Sequence, residues 1–231
     1  MFLYEMHQHT YPCSACAAVR PDEAVRRLKA HGFAGMVLTN HFYHGNTGIR
    51  RQMPWEDFVR PFEEAWLEAK DEGDRLDFDV LFGMEEGVGE GKEVLLYGIT
   101  PQLLYDHPEL RDIRREQDYL AYLAGLVHEA GGVVYQAHPF RVRDYILRPW
   151  EPLEARWLDG IEGYNAGNSA LDNARAVQYS RQTGLPMIAG TDAHGQEPVR
   201  YGIAAPYRLR TDGELLRVLT EEDYTLYLGE D

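Results

Sequence analysis

Eight short apolar runs recur along the chain, most of them separated by stretches of helical period. They fall at 2–7 (FLYEMH), 34–39 (AGMVLT), 78–84 (FDVLFGM), 93–99 (EVLLYGI), 132–137 (GVVYQA), 159–164 (DGIEGY), 186–191 (PMIAGT) and 201–205. Alternation of this kind is expected of βα units built around a parallel sheet. Between the runs, 21–31 (PDEAVRRLKAH) opens with Pro and two acids, as a helix N-terminus should, and stops at Gly32. Segments 55–72, 115–130, 170–183 and 212–220 read as further amphipathic helices. The stretches 40–54 and 138–152 carry Gly, Asn and Pro without periodicity, and are long enough to be functional loops. No repeat, low-complexity tract or linker divides the chain, and 231 residues suffice for one sizeable core. The expectation is a single α/β barrel domain spanning 1–231.

Nearly every predicted strand ends in a residue able to bind a metal. His7 and His9 close the first, His41 follows the second, Glu85 the third, His138 the fifth, and Asp192 with His194 the seventh. In a β/α barrel the C-terminal strand ends converge on one face, so residues far apart in sequence can meet there. The pairs His7/His9 and Asp192/His194 are both i, i+2, and an extended backbone sends both members to the same side. Imidazole with carboxylate suits zinc, iron or manganese, and a set of this size could hold more than one ion. His31, His107 and His128 lie in or beside helices without partners at ligand spacing, whereas His44 follows His41 closely enough to enter the site.

Composition narrows the substrate. The formal charge of −15 creates a field that repels long polyanions, so it argues against long nucleic acid and for a small molecule. No apolar run reaches the roughly 18 residues that span a bilayer, and MFLYEMHQH lacks the features of a signal peptide. These features, with two cysteines too close together to frame a disulfide scaffold, lead to the expectation of a cytoplasmic protein without a membrane partner.

The motifs HQH at 7–9, TNH at 39–41, GME at 83–85, AHP at 137–139, IEGYN at 161–165 and GTDAH at 190–194 together resemble the PHP (polymerase and histidinol phosphatase) family of metal-dependent phosphoesterases. The resemblance implies a distorted (β/α)7 TIM-like barrel with two or three divalent ions (Zn, Mn or Fe) at its C-terminal face. It implies His7, His9, Glu85 and Asp192 around one ion, with Glu85 bridging to a second held also by His138, and His41 and His194 at a third. The chain departs from the family pattern in three places. Ser14 stands nearest to where relatives carry an acidic residue or His, the fourth strand offers Glu93 rather than a His, and Asn40 replaces a more usual Asp.

Ions grouped in this way bind phosphate oxygens and lower the pKa of water, so a metal-activated hydroxide would attack a phosphate monoester without a protein nucleophile. The resemblance allows histidinol phosphate-like and nucleotide-like substrates. Asp192 and His194 are the candidates for acid/base help. Arg141 and Arg143, in the loop after His138, and Arg200, after the last ligands, are candidates for the phosphate; Arg50 and Arg51 are weaker ones. Asn165, with Tyr164 and Asn168, is placed to orient ligands or touch substrate. A metal-dependent amide or lactone hydrolase, or a non-catalytic metal-binding domain, would use the same strand-end residues. His7, His9, Cys13 and Cys16 could in principle form one closed zinc site, but the downstream ligands offer the histidines better partners. The cysteines are expected to pack beneath the site without coordinating.

Overall fold

The computed structural model describes residues 1–113, 117–195 and 198–229, with no side-chain description for 117 and 118. The strands are β1 (Phe2–Gln8), β2 (Gly35–Leu38), β3 (Asp79–Gly89), β4 (Lys92–Tyr97), β5 (Val133–Gln136), β6 (Gly160–Asn165), β7 (Met187–Gly190), β8 (Tyr201–Ala205) and β9 (Thr225–Leu228). The helices are α1 (Pro21–Ala30), α2 (Trp55–Leu76), α3 (Pro101–Asp106), α4 (Gln117–Glu129), α5 (Ala170–Thr183) and α6 (Asp212–Glu221). One sheet takes all nine strands in the order β7-β6-β5-β4-β3-β2-β1-β8-β9.

The sheet curls until its far edge meets β1. Beyond the end of β7, the Ala193 amide donates to His7 O at 3.3 Å and the His9 amide donates to Ala193 O at 3.1 Å. The other half of β1 pairs with β8, Phe2 opposite Ala205 and Tyr4 opposite Ile203. The distorted barrel that the family resemblance implied is therefore present, closed at the mouth by β7 against β1 and lower down by the β8–β9 hairpin.

Two features correct the expectation of a parallel βα series. β4 is antiparallel to both β3 and β5, because only a tight turn at Glu90–Gly91 separates it from β3. A connection of that length can make a hairpin but not a crossover. As a result β4 enters the sheet from the mouth, and its first residues rather than its last lie at the level of the strand ends. The second correction is at the C-terminus, where β9 adds to β8 as a strand that apolar patterning did not mark. The short helix α3 also falls in a stretch where periodicity marked no helix. The predicted helix 115–130 is present from Gln117 onward, and its first two positions lie outside the described residues.

The core has two layers. One buried cluster joins Tyr4, Val37, Leu81, Leu95, Tyr97, Tyr135, Ile188 and Ile203 to Leu215 and Leu219 of α6, so it fills the barrel and α6 plugs its floor. The other packs α1, α2 and α4 against the outside of the strands, through Leu28, Phe62, Ala69, Leu123 and Val127 among others. Inside the barrel two tyrosines lie over glycines on the neighbouring parallel strand: Tyr4 opposite Gly35 and Tyr135 opposite Gly160. A Cβ on Gly35 would lie 2.4 Å from the Tyr4 ring, and one on Gly160 would lie 2.1 Å from the Tyr135 ring. These rings occupy the space a side chain would take, and so set the floor on which the polar residues of the mouth rest. Among the described residues no helix is long and apolar enough to cross a membrane.

Candidate metal centre

The seven residues expected at strand ends meet at one mouth, although Glu85 lies within β3, because that strand runs on past the mouth to Gly89 as one arm of the hairpin with β4. His7 Nε2, His9 Nε2, a Glu85 oxygen and an Asp192 oxygen all lie within 4.8 Å of one another, and all four residues are buried. The rings of His41 and His194 both pack against that of His9, at centroid separations of 4.3 and 4.4 Å, and lie 6.0 Å from each other, while the ring of His138 stacks on His7 at 5.8 Å. Two of these residues are held in left-handed backbone conformations, His138 at φ 30° and Asp192 at φ 54°. Neither is glycine, so each costs about 1 kcal/mol or more, a strain that persists only where surrounding structure enforces it and that concentrates at functional sites.

The ring tautomers follow from the hydrogen bonds behind the rings. His7 Nδ1 donates to Glu162 Oε1 at 3.0 Å, since a carboxylate can only accept. Ser14 gives its single hydroxyl proton to Asn40 Oδ1 at 3.0 Å, an oxygen identified by the Thr10 amide that donates to it at 2.6 Å. Ser14 Oγ must then accept from His9 Nδ1 at 2.9 Å. Both rings thus carry their proton on Nδ1 and turn the lone pair of Nε2 into the mouth. These two lone-pair nitrogens face each other at 3.0 Å, a repulsive contact unless a cation or an extra proton lies between them.

The donor spacing fits a cation. Ligands about 2.0–2.2 Å from an ion lie about 3.3–3.6 Å apart in a tetrahedron, and octahedral neighbours lie about 2.8–3.0 Å apart. Here His7 Nε2 is 3.3 Å from Glu85 and 3.6 Å from Asp192, while His9 Nε2 is 3.2 Å from Glu85 and 3.1 Å from Asp192. Two further donors are buried without a hydrogen bond, His41 Nδ1 and Glu85 Oε2, although they lie 2.9 Å apart. Without a cation, protons would have to compensate these carboxylates. Burial opposes the charging of His7, but Glu85, Glu162 and Asp192 outweigh it and raise its pKa well above the usual imidazole value. Burial likewise opposes ionisation of Asp192, and His7, His9 and Arg141 hold it well below the usual carboxylate range.

Glu162 and Glu93 belong to this site, although neither stands at the end of a predicted strand. Glu162 is fully buried and accepts from the His138 amide and from Asn165 Nδ2, both at 2.9 Å, besides His7. It is the carboxylate that orients an imidazole from behind, and the IEGYN motif contained it. Glu93 reaches the mouth because β4 runs antiparallel, and its Oε1 lies 3.3 Å from His41 Nδ1. His41, which the resemblance grouped with His194, thus has one ring nitrogen turned toward Glu85 and Glu93.

The candidate substrate residues separate into groups. Arg141 is buried: its Nη1 lies 2.5 Å from Asp192 Oδ2, its Nε donates to Asn168 at 2.8 Å and its Nη2 donates to Asn165 at 2.9 Å. Asn165 is therefore an anchor for Arg141 and Glu162. Arg143 is exposed near the rim, on Val142 O and Gly167 O. Arg200 is drawn away from the site, its guanidinium lying 4.7 Å from the centre of the Tyr227 ring on β9. Arg51 clamps its own loop through Tyr43 O and Gly45 O. His44 Nε2 contacts Leu110 O at 3.0 Å and stays out of the cluster. The cysteines do not behave as a pair. Cys13 is buried against Pro61 O, whereas Cys16 is exposed and lines the cleft, not the space beneath it. There His194 and His41 overcome the effect of burial and lower the Cys16 pKa to about 6. The cleft over the cluster has a volume of about 460 Å³, with Asn46, Tyr145, Arg141 and His194 in its walls.

Residues 170–199 match the family model described as PHP-associated. A two-domain protein from Bacteroides vulgatus, containing a predicted PHP-like metal-dependent phosphoesterase, superposes over 99% of this chain with a TM-score of 0.67 at 16% identity. The chain has the fold of the PHP family. It spans 65% of the length of that Bacteroides protein and 59% of a lesion-specific endonuclease from Pyrococcus furiosus, which has the same fold (TM-score 0.59, 15% identity, all of this chain covered). An amidohydrolase from Chromobacterium violaceum, solved with bound sulfate and no metal, matches 94% of this chain and 96% of its own length with a TM-score of 0.62 at 18% identity. No curated protein sequence matches the chain. In this PHP fold the HQH motif ends β1, GME lies on β3, and GTDAH runs from β7 into the closing contact with β1.

Proposed function

We propose that the chain is a metal-dependent phosphoesterase that hydrolyses a small phosphate monoester in the cleft above His7, His9, Glu85 and Asp192. The observation that carries the reading is the convergence of two lone-pair imidazole nitrogens and two carboxylates at ligand-to-ligand distances, in a buried mouth whose rings are oriented from behind. Bound divalent cations would polarise the phosphate oxygens and acidify a water for attack. The ligand roles proposed are His7, His9, Glu85 and Asp192 for one ion, Glu85 and His138 for a second, and His41 and His194 beside them.

The rest of the work falls to the chain's own residues. Arg141 spends three of its five N–H donors on Asn168, Asn165 and Asp192, which leaves two for a phosphate oxygen. Asp192 is held by this arginine and stays ionised, so it serves as a ligand rather than as a proton donor. His194, with its side chain a quarter exposed at the cleft wall, is the better group to hand a proton to a leaving alkoxide, a role open to its Nε2 when no ion holds that nitrogen, since Nδ1 donates to Asp192 O. A cleft of about 460 Å³ suits a small ester, and the formal charge of −15 disfavours a long polyanion. Sulfate in the Chromobacterium protein shows that a tetrahedral anion binds a relative of this fold. That relative's name, an amidohydrolase, supports amide or lactone hydrolysis as a second reading.

The test is elemental analysis of the purified protein together with phosphate release from a panel of monoesters. The wild type should carry divalent metal and release phosphate. Glu85→Gln should lose metal and activity together, and His138→Ala should lose most activity while keeping part of the metal. Turnover of amides or lactones without phosphate release would favour the second reading. A wild type without metal affinity, or full activity in both variants, would overturn the proposal.

A further inference from the structure

A second set of donors lies beside the first and has a different composition. His41 Nδ1 is 2.9 Å from Glu85 Oε2 and 3.3 Å from Glu93 Oε1, and His138 Nε2 is 3.0 Å from Glu85 Oε1 and 3.6 Å from Glu93 Oε2. These separations fall in the range found between neighbouring ligands of one ion. Glu93 Oε1, Glu85 Oε2 and His41 Nδ1 point at a common space, and the last two are buried atoms without a hydrogen bond. A structural carboxylate buried here would be expected to find a hydrogen-bond donor, which these atoms lack.

We infer that Glu93 is a ligand of the second cation, and that its carboxylate makes this position more oxygen-rich, and so more favourable to manganese relative to zinc, than a histidine there would. The inference rests on the metal-dependent reading above. The physical basis is the direction of β4. Because the strand enters the sheet from the mouth, Glu93 pairs with Gly87, two residues past Glu85 on β3, and the Ala137 amide donates to Glu93 O at 3.1 Å, which ties its backbone to the segment that carries His138. Two carboxylates and two imidazoles then surround the position. Replacing Glu93 by His would give three imidazoles and one carboxylate, a softer set that favours zinc.

The experiment titrates EDTA-stripped protein with manganese chloride and with zinc chloride, following heat release and the manganese EPR signal. Circular dichroism confirms that each variant is folded. The wild type should bind at least two ions. Glu93→Gln, which keeps shape and removes the charge, should keep the first ion at wild-type affinity and weaken the second at least tenfold. Glu93→His should restore the second ion and raise the zinc-to-manganese affinity ratio there by tenfold or more. Two ions bound by Glu93→Gln with unchanged affinities would overturn the role of Glu93 alone. Loss of both ions in that variant, or no change of ratio in Glu93→His, would also overturn it. A wild type that binds no cation would overturn the metal-dependent reading itself.

Discussion

Glu162→Gln tests the link between the buried hydrogen bonds and the proposed chemistry, since this side chain faces away from the cleft. Glu162 is fully buried and makes three hydrogen bonds, accepting from His7 Nδ1 on one oxygen and from the His138 amide and Asn165 Nδ2 on the other. A glutamine has one acceptor and one donor end, so one side must fail. Keeping the oxygen toward His138 and Asn165 preserves two bonds and turns the amide NH2 toward His7 Nδ1. That group then favours the tautomer with its lone pair on Nδ1 and its proton on Nε2, the atom that faces the mouth. Loss of such an orienting carboxylate weakens metal binding by about 10–100-fold, or about 1.4–2.8 kcal/mol. Calorimetric titration of stripped protein with zinc chloride measures the change, and 15N–1H correlation through the imidazole ring reports the tautomer of His7. Affinity within about threefold of wild type, with His7 still protonated on Nδ1, would refute the reasoning.

Other outcomes follow from the same structure. Gly35→Ala forces a methyl to 2.4 Å from the Tyr4 ring and 2.6 Å from Asp79 O; it should cost about 2–4 kcal/mol and lower the melting temperature by about 5–10 °C in calorimetry. Arg141→Ala should cut kcat/KM for a phosphate ester about 100-fold or more, because it removes a buried cation and frees Asp192, whereas Arg200→Ala, which loses a stacking contact with Tyr227 away from the cleft, should stay within about twofold. In metal-free protein the raised pKa of His7 and His41 contributes stability that is complete below about pH 6.5 and is lost as pH rises through the elevated values. Melting in EDTA should therefore fall between pH 6 and 9, and metal loading should release protons, seen as a buffer-dependent binding enthalpy; a flat profile with no proton release would contradict the cluster's charge arrangement.

The strand-end residues were legible because their pattern is local. An apolar run of strand length followed by His, Glu or Asp says both that a strand is there and which of its ends is polar, and a barrel needs nothing more to bring His7, His9, Glu85, His138 and Asp192 together. The direction of β4 was not legible from its apolar pattern, since EVLLYGI reads the same in a parallel or an antiparallel strand; the short turn before it decides the pairing. With that direction reversed, Glu93 moved from the far end of a strand to the mouth. Glu162 lay inside an apolar run, where a carboxylate has no local reason to be, and it is explained by partners brought in from elsewhere, the ring of His7, 155 positions away, and the His138 amide, together with Asn165. The arginines divide for the same cause. Arg141, Arg143 and Arg200 have equal charge and similar flexible neighbourhoods in sequence, but Asp192, Asn165 and Asn168 gather the first, and Tyr227 on a strand the apolar pattern did not mark takes the last. By itself the sequence determined most of the elements, β9 and α3 excepted, and the chemistry available at their ends, because these depend on periodicity and residue type. Which polar groups face one another was decided by the tertiary structure, because that depends on strand direction and on partners brought together only when the sheet closes.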